Sequence, residues 1–161
     1  MVTKQQFQPP STEFLKALGY NFSRDLLCND YMLPENYLWR AVIINALEDT
    51  MIKRNDRKSS TLKANAHNWI LNELYSFDLI CNWAMLDPEN VVYAYKKALN
   101  DKHIVFTNVQ LYWHKYNILS KKFRNSVDIR VKSNIKNEMR KIRVKANSCT
   151  VIITEEVTNA L

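Results

Sequence analysis

A single glycine, Gly19, is present in this chain of 161 residues, and this scarcity restricts the folds that the chain can adopt. Loops of the G-x-G-x-x-G and G-x-x-x-x-G-K types need several glycines, because their backbone must approach a phosphate closely. The nucleotide-binding folds that depend on such loops are therefore excluded. Asparagine is frequent, and we expect it to replace glycine in turns because it tolerates the left-handed region.

Composition and length indicate one globular domain with a tail or a small second unit. Hydrophobic residues make up 47% of the chain and charged residues 24%, which is typical of a folded protein. The three cysteines are far apart and form no C-x-x-C pair, so we expect a reduced, cytoplasmic protein. The N-terminus has no apolar signal segment, and no stretch reaches the roughly 18 apolar residues of a membrane span.

The net charge of +7 is concentrated in the C-terminal third. Residues 1–101 hold 11 Lys and Arg against 12 Asp and Glu, whereas residues 102–161 hold 12 against 4. Such segregation is typical of a surface that meets nucleic acid or another acidic partner. A solvated basic tail without a specific partner is the alternative.

We divide the chain into a loose N-terminal arm at residues 1–12, a compact helical domain at residues 13–100 and a basic C-terminal extension at residues 101–161. Apolar residues recur at helical spacing through the middle part. In the extension that spacing degrades, and the β-branched and aromatic runs at residues 103–109 and 150–154 are compatible with short strands. The predicted fold class is mainly α, with room for short strands in the extension.

Within the helical domain, capping residues and apolar spacing predict the individual helices. A short helix is expected over residues 11–19, with Ser11 as its N-cap and the glycine after its end. A longer helix is expected over residues 34–53, where a proline occupies the first turn. Residues 53–60 are polar and predict a solvated connection, and another helix follows from residue 62.

Residues 76–99, SFDLICNWAMLDPENVVYAYKKAL, match the apolar pattern of a helix-turn-helix unit. We expect Ser76 to cap the first helix, Met85 and Leu86 to form the turn, and Asp87 to cap the second helix. The places that the motif reserves for apolar side chains are filled by Ile80, Ala84, Leu86, Val91 and Ala94. The ninth place, usually glycine, is Met85, which has to adopt a less favourable backbone conformation. A packed helical hairpin without DNA-binding activity is the alternative.

Three runs of this region resemble a pattern found in small bacteriophage- and prophage-type proteins. The runs are LWRAVIINALED at 38–49, ANAHNW at 64–69 and FDLICNWAMLDPENV at 77–91. In that pattern a W-x-x-V helix precedes an A-x-x-W helix and then F-x-x-[VI]-C-x-x-A-G-L-D-P-x-x-V. The resemblance covers residues 38–95, with Trp39, Trp69 and Cys81 at the signature positions and Met85 in place of the glycine. It implies a helical phage-type accessory or regulatory protein.

Residues 129–145, IRVKSNIKNEMRKIRVK, are compatible with two basic structures. As a helix, they place Ile135, Met139 and Ile142 on one side and a row of cations beside them. As strands, the two IRVK copies form a ribbon with one charged face. Either structure concentrates enough positive charge for several phosphate contacts. A membrane is a less favoured partner, because the apolar side is short and lacks Trp and Phe.

These observations predict a protein that binds nucleic acid, DNA or RNA, through electrostatic contacts. The residues predicted to position phosphate are Lys121, Lys122, Arg124, Arg130, Lys132, Lys136, Arg140, Lys141, Arg143 and Lys145. Weaker candidates for base and backbone contact lie on the second helix of the helix-turn-helix unit, and they are Asn90, Tyr93, Lys96 and Lys97. Asp87 and Glu89 in the first turn of that helix would repel phosphate.

Four aromatic residues interleave with the cations upstream of the 129–145 segment, and they are Tyr112, Trp113, Tyr116 and Phe123. They are expected to stack on exposed bases or to belong to the core.

No catalytic, metal or cofactor motif is readable in the sequence, so we expect a protein that is not an enzyme and needs no cofactor. The three histidines show no H-E-x-x-H spacing, and G-x-S-x-G is absent. A buried Cys81 is expected to act as a small hydrophobe rather than a nucleophile. The alternative function is protein–protein interaction, with the helical domain associating as a homodimer or with a partner and the basic tail only solvated.

Overall fold

A computed structural model describes residues 10–27 and 32–154. In these residues the chain forms eight helices and two short strands. The helices are α1 (Thr12–Leu18), α2 (Tyr20–Leu27), α3 (Pro34–Thr50), α4 (Arg57–Asn72), α5 (Leu74–Trp83), α6 (Pro88–Asn100), α7 (Asn108–Asn125) and α8 (Ile129–Ser148). The strands are β1 (Phe106–Thr107) and β2 (Ile153–Thr154), which pair antiparallel. The prediction of a mainly α-helical chain is confirmed. Residues 1–9 of the predicted arm, Cys28 and residues 155–161 lie outside the described residues.

Short polar side chains determine where several helices begin. The Ser11 side chain accepts a hydrogen bond from the backbone N–H of Phe14 at the start of α1, and the Asp87 carboxylate accepts one from Glu89 at the start of α6. Thr107 and Gln110 form a reciprocal capping box at the start of α7. Each interaction satisfies backbone donors that the first helical turn leaves without partners. The predicted caps Ser11 and Asp87 are therefore correct.

Helix α4 begins earlier than the polar sequence suggested. The Asp56 side chain accepts a hydrogen bond from the backbone N–H of Ser59 at 3.0 Å, which starts the helix at Arg57. Ser59 and Ser60 are buried, so the predicted solvated connection at residues 53–60 is wrong in its second half. An N-cap and two small buried hydroxyls, rather than apolar residues, define this first turn.

The predicted cap of the helix-turn-helix unit, Ser76, is also wrong. Helix α5 begins at Leu74, because the carbonyl of Glu73 already accepts the backbone N–H of Phe77 at 3.1 Å. The Ser76 hydroxyl instead accepts the indole N–H of Trp69 at 3.1 Å and donates to the Glu73 carbonyl. Ser76 therefore joins α4 to α5 rather than beginning a helix.

The turn between α5 and α6 contains the strained residue that the sequence indicated. Met85 adopts a φ of 54°, in the left-handed region where glycine is favoured over other residues. Its backbone N–H donates to the carbonyl of Asn82, and that of Leu86 donates to Cys81. The turn is closed by these two bonds in spite of the methionine.

The largest buried cluster is built by α1 to α6. Its side chains include Phe14 of α1, Ile43 of α3, Phe77 of α5 and Tyr95 of α6. The rings of Trp69 and Phe77 meet edge to face, with centroids 5.1 Å apart. Two further members come from the segment just after α6, and they are Ile104 and Phe106. The first part of the predicted extension therefore contributes to the same core.

Helices α7 and α8 form an outer pair, in which α7 contacts both α4 and α8. Helix α8 presents Ile142 and Ala146 as buried residues, with Ile135 and Met139 partly buried on the same side. The helical interpretation of residues 129–145 is therefore correct, and the two-stranded ribbon is wrong. After α8 the chain returns to the start of α7, where Asn108 bonds to the backbone of Thr150 and Ile152. The segment after α8 is thereby tied to the start of α7.

Candidate nucleic-acid interface

The candidates on α6 occupy its exposed side. Val91, Ala94, Tyr95 and Ala98 face the core, while Asn90, Tyr93, Lys96 and Lys97 are exposed. The Tyr93 side chain has 70% of its surface exposed. Asn90, Tyr93 and Lys97 border a cavity of about 590 Å³ between α2 and α6, and Lys96 lies outside its lining.

The buried Arg40 of α3 connects the α5–α6 turn to the end of α2, beside the cavity. Only 3% of its surface is exposed, and its guanidinium donates to the carbonyls of Ala84 at 2.9 Å, Met85 at 3.2 Å and Leu26 at 2.9 Å. One side chain of α3 thus ties the α5–α6 turn to the end of α2. Arg40 was not predicted from the sequence, although a lone arginine within the apolar run of α3 was a usable signal.

The candidates on α8 divide into two rows on opposite flanks of the helix. The first row follows helical spacing at i, i+4, i+8 and i+11, and its members are Lys132, Lys136, Arg140 and Arg143. The second row lies on the other side of the buried seam, and its members are Arg130, Lys141 and Lys145. The seam of Ile142 and Ala146 separates the rows, so the two sets face different surroundings.

The first row borders a groove between α7 and α8, which we call the basic groove. Its volume is about 610 Å³, and its lining residues are Tyr116, Phe123, Ser133, Lys136, Asn137, Met139, Arg140 and Arg143. The Lys132 ammonium lies 5.7 Å from the centre of the Phe123 ring, close enough for a cation–π contact. The structure therefore combines three cations, two aromatic rings and two small polar side chains along one channel.

The four aromatic residues of α7 were expected either to stack on bases or to belong to the core, and the structure places them at intermediate burial. All four are partly buried, and the Trp113 and Tyr116 rings meet edge to face at 5.8 Å. The Arg57 guanidinium of α4 covers the Tyr116 ring at 4.6 Å. Tyr116 and Phe123 remain part of the groove lining, whereas Tyr112 and Trp113 do not line it. Arg57 was not predicted from the sequence, because it is far from α7 along the chain.

The second row lies on the flank of α8 that faces away from the basic groove. A cavity of about 480 Å³ on that flank is lined by Ile118, Val131 and Ile135, with Lys121 and Lys122 among its polar neighbours. None of Arg130, Lys141 and Lys145 lines it. Lys121 also reaches a smaller cavity between α4 and α7, together with Arg124.

The charges of α7 and α8 are not neutralised by ion pairs within the part of the chain that the structure describes. The ion pairs found there join Arg24 to Asp25 and Arg54 to Asp56, and neither includes a predicted phosphate-binding residue. Helix α8 carries Glu138 as its one acidic side chain, and this residue is exposed. The outer helix pair therefore presents a net positive field to solvent.

The two groups of candidates lie on different parts of the fold. Helix α6 packs on α1, α2 and α5, while α7 packs on α4 and α8. A ligand that fills the basic groove would contact α7 and α8 without reaching the cavity beside α6. The structure brings together Lys132, Lys136, Arg140 and Arg143, and it leaves Asn90, Tyr93, Lys96 and Lys97 as a separate set.

Two of the buried ionisable residues, Lys63 and His67, form hydrogen bonds inside the core. The Lys63 ammonium donates to the carbonyls of Ile52 at 2.8 Å and Val105 at 2.6 Å, and burial lowers its pKa to about 8. His67 Nδ1 and the Tyr95 hydroxyl are hydrogen-bonded at 2.6 Å, and burial lowers the pKa of His67 to about 4. Burial raises the pKa of the Cys81 thiol to about 12, so this cysteine stays protonated at neutral pH.

Metal-ligating side chains do not cluster in the described ranges, where no group of three or more His, Cys, Asp or Glu could hold an ion. Among the same residues, no helix is both long and apolar enough to cross a membrane. Comparison with known protein families, curated proteins and solved structures finds no match to the chain. A functional hypothesis therefore has to begin from the charged surface of α7 and α8.

Proposed function

We propose that this protein binds nucleic acid through the basic groove, with Lys136, Arg140 and Arg143 neutralising backbone phosphates. The observation that carries the proposal is the convergence of these cations with Tyr116 and Phe123 in one channel between α7 and α8. Cations without internal ion pairs release counterions when they meet phosphate, which drives association. Aromatic rings beside them offer surfaces on which exposed bases stack.

The remaining cations extend this surface. Lys132 lies at the edge of the groove over Phe123, and Lys122 and Arg124 are exposed near the end of α7. Arg130, Lys141 and Lys145 attract phosphate at longer range from the opposite flank. In this hypothesis the groove supplies the close contacts, and the second row supplies a weaker, non-specific field.

The helix-turn-helix interpretation of α5 and α6 belongs to the same proposal as a secondary element. Asn90 and Tyr93 are exposed on α6 and have side chains that can contact base edges, while Lys96 and Lys97 can contact phosphate. Asp87 and Glu89 at the start of α6 work against entry of that end into a major groove. We propose a scaffold role for the unit, within a phage-type accessory or regulatory protein.

The test is fluorescence anisotropy with labelled duplex DNA, single-stranded DNA and RNA across about 50 to 200 mM salt. The first variant changes Lys136, Arg140 and Arg143 to Gln. The matched control changes Arg130, Lys141 and Lys145 to Gln, which removes the same charge from the same helix. We expect the groove variant to lose about three units of salt slope and to bind at least tenfold more weakly than the control variant.

The control variant decides between a groove and a diffuse charge effect. Equal losses in the two variants would reduce the proposal to non-specific attraction, and no binding by the unmodified protein at low salt would refute it. A truncation at Asn100 is less informative, because it would remove Ile104 and Phe106 from the core.

A second candidate function is self-association through the exposed apolar side of α3 and α5. Leu79 and Trp83 on α5 are 37% and 43% exposed, and Leu38 on α3 is 61% exposed. Trp83 adjoins α3, since its ring lies 4.7 Å from that of Trp39. Light scattering that gives a dimer mass, and a monomer mass for Leu38→Glu, would support this candidate. A monomer mass for the unmodified protein would exclude it.

A further inference from the structure

A small cavity, lined mostly by polar and charged residues, lies between α4 and α7, outside the basic groove. Its volume is about 180 Å³, several times the roughly 30 Å³ that one water occupies in the liquid. Pockets that hold drug-sized ligands measure about 300–1,000 Å³, so this cavity suits a small group and not a whole nucleotide.

Three cations converge on the cavity, and they are Arg57 from α4 and Lys121 and Arg124 from α7. The other polar lining side chains include Asn65, His114 and Ser120, and no carboxylate is among the lining residues. Asp56, the acidic residue next to Arg57, already accepts from the Ser59 N–H and pairs with Arg54. Positive charge at the cavity is therefore left without a counter-ion from the described residues.

Arg57 is held in position for a ligand. Its Nε and Nη2 atoms both donate to the Asn117 side-chain oxygen at 3.2 Å, and its Cζ atom lies 4.6 Å from the centre of the Tyr116 ring. The other N–H groups of the guanidinium have no partner among the described residues. A guanidinium that is already ordered loses less side-chain freedom when it binds an oxyanion.

His114 supplies a second, independent observation. It lines the cavity and is 8% exposed, and its Nε2 is buried without a hydrogen-bond partner in the described part of the chain. Buried polar atoms rarely lack a hydrogen-bond partner. An atom that lacks one indicates a partner such as a water molecule or a ligand. Burial and the Lys121 charge lower the pKa of His114 and so favour its neutral ring. A neutral imidazole donates a hydrogen bond from one nitrogen and accepts at the other.

We infer that the cavity between α4 and α7 is a phosphate-group site, in which Arg57, Lys121 and Arg124 surround the oxyanion above His114. Charge-assisted hydrogen bonds from arginine suit the tetrahedral oxygens of phosphate. The phosphate comes either from free inorganic phosphate or from the 5′-terminal phosphate of a nucleic-acid strand. The cavity and the basic groove have no lining residue in common. A direct link between them is the contact of Arg57, which lines the cavity, with Tyr116, which lines the groove.

The test begins with inorganic phosphate titrated into the full chain and followed by NMR of the His114 imidazole and the Asn117 side-chain amide. Arg124→Gln and Lys121→Gln are the variants, and Lys115→Gln on an exposed part of the same helix is the matched control. We expect saturable shifts at His114 and Asn117, about tenfold weaker binding in each variant and less than about twofold change in the control.

A second titration distinguishes the two sources, using one oligonucleotide with a 5′-phosphate and the same strand with a 5′-hydroxyl. A preference for the phosphorylated strand that Arg124→Gln abolishes identifies a strand end, and equal binding of the two strands with saturable free phosphate identifies a free anion. Either result supports the site.

Two outcomes would overturn the inference. One is the absence of saturable shifts at His114 and Asn117, and the other is an equal loss of phosphate binding in Lys115→Gln. The Lys136, Arg140 and Arg143 variant separates this site from the proposed function. It should keep phosphate binding at the cavity even where nucleic-acid binding is lost.

Discussion

Two parts of the molecule differ in what their side chains do: the body, formed by α1 to α6, buries apolar side chains, and the outer pair, formed by α7 and α8, exposes charged ones. In the body, Ile43, Ile70, Phe77 and Tyr95 are fully buried, and the sequence through residue 101 is almost neutral. Helix α8 buries Ile142 and Ala146 and exposes most of its cations. The fold is therefore stabilised mainly by the body, while the charge is carried on a helix whose outer side chains hold few contacts. Changes in charge on α8 can be made with little risk to the fold.

The largest expected effect is the truncation of a buried isoleucine in the body. Ile43→Ala removes a side chain that is 0% exposed, and we expect it to lower the free energy of unfolding by about 4 kcal/mol. Ile142→Ala makes the same change in the seam of α8, where 6% of the residue is exposed. We expect about 2 kcal/mol there, because solvent and neighbouring side chains fill the space more easily. Urea unfolding of both variants measures the difference.

Equal losses in the two isoleucine variants would contradict the comparison. They would mean that α8 is as firmly packed as the body.

The second expected effect is a loss of stability in acid that originates in the body. The pKa of His67 is lowered from 6.5 to about 4, so between these values the unfolded chain binds more protons than the folded chain. Stability is therefore fully present above about pH 6.5 and decreases as the pH falls towards 4, by up to about 3 kcal/mol. Urea unfolding at pH 7 and about pH 4.5 tests this.

His67→Gln serves as the control for the acid effect, because glutamine does not titrate there. The variant should have a flatter dependence of stability on pH than the unmodified protein, whatever its stability at neutral pH. A slope unchanged by the substitution would assign the acid sensitivity to other groups, of which His114 is the nearest candidate.

The sequence predicted the parts of the fold that depend on local chemistry. Asp87 and Ser11 were identified because an N-cap acts within its own first turn, and the difficulty at Met85 followed from the missing glycine. The start of α4 was missed because RKSST at 57–61 has no apolar residue to mark a helix. The two IRVK copies fit a period of two and a period of 3.6 equally well, so only packing of α8 against α7 could decide between them.

The candidate surface could be predicted only in part. The cations of α8 were visible as a charge run, but their division into two rows requires knowing which side of α8 is buried. Arg57 and His114 both line the cavity between α4 and α7, and no local pattern connects residues so far apart in the chain. The partners of Arg40 could not be predicted for the same reason, since they lie on α2 and the α5–α6 turn.

A smaller effect is expected at the turn between α5 and α6. Met85 has a φ of 54° and is 51% exposed, so its side chain contributes little packing while its backbone is strained. Met85→Gly should raise the free energy of unfolding by about 1 kcal/mol, because glycine adopts this conformation without the steric conflict. Thermal and urea unfolding measure the change. Met85→Ala controls for removal of the side chain alone and should give no such gain.

The smallest expected effect concerns the stability of the groove variant. Lys136, Arg140 and Arg143 are exposed on α8 and form no ion pair with the described residues, and exposed charges of this kind usually change stability by less than about 0.5 kcal/mol. The triple change to Gln should therefore leave the helix content measured by circular dichroism and the urea midpoint nearly unchanged, while nucleic-acid affinity falls. Reduced repulsion among neighbouring cations can even raise the midpoint slightly. A large loss of helix content would show that these side chains also hold α8 against α7. The cations of the groove would then contribute to packing as well as to charge, which would contradict the contrast between the body and the outer pair.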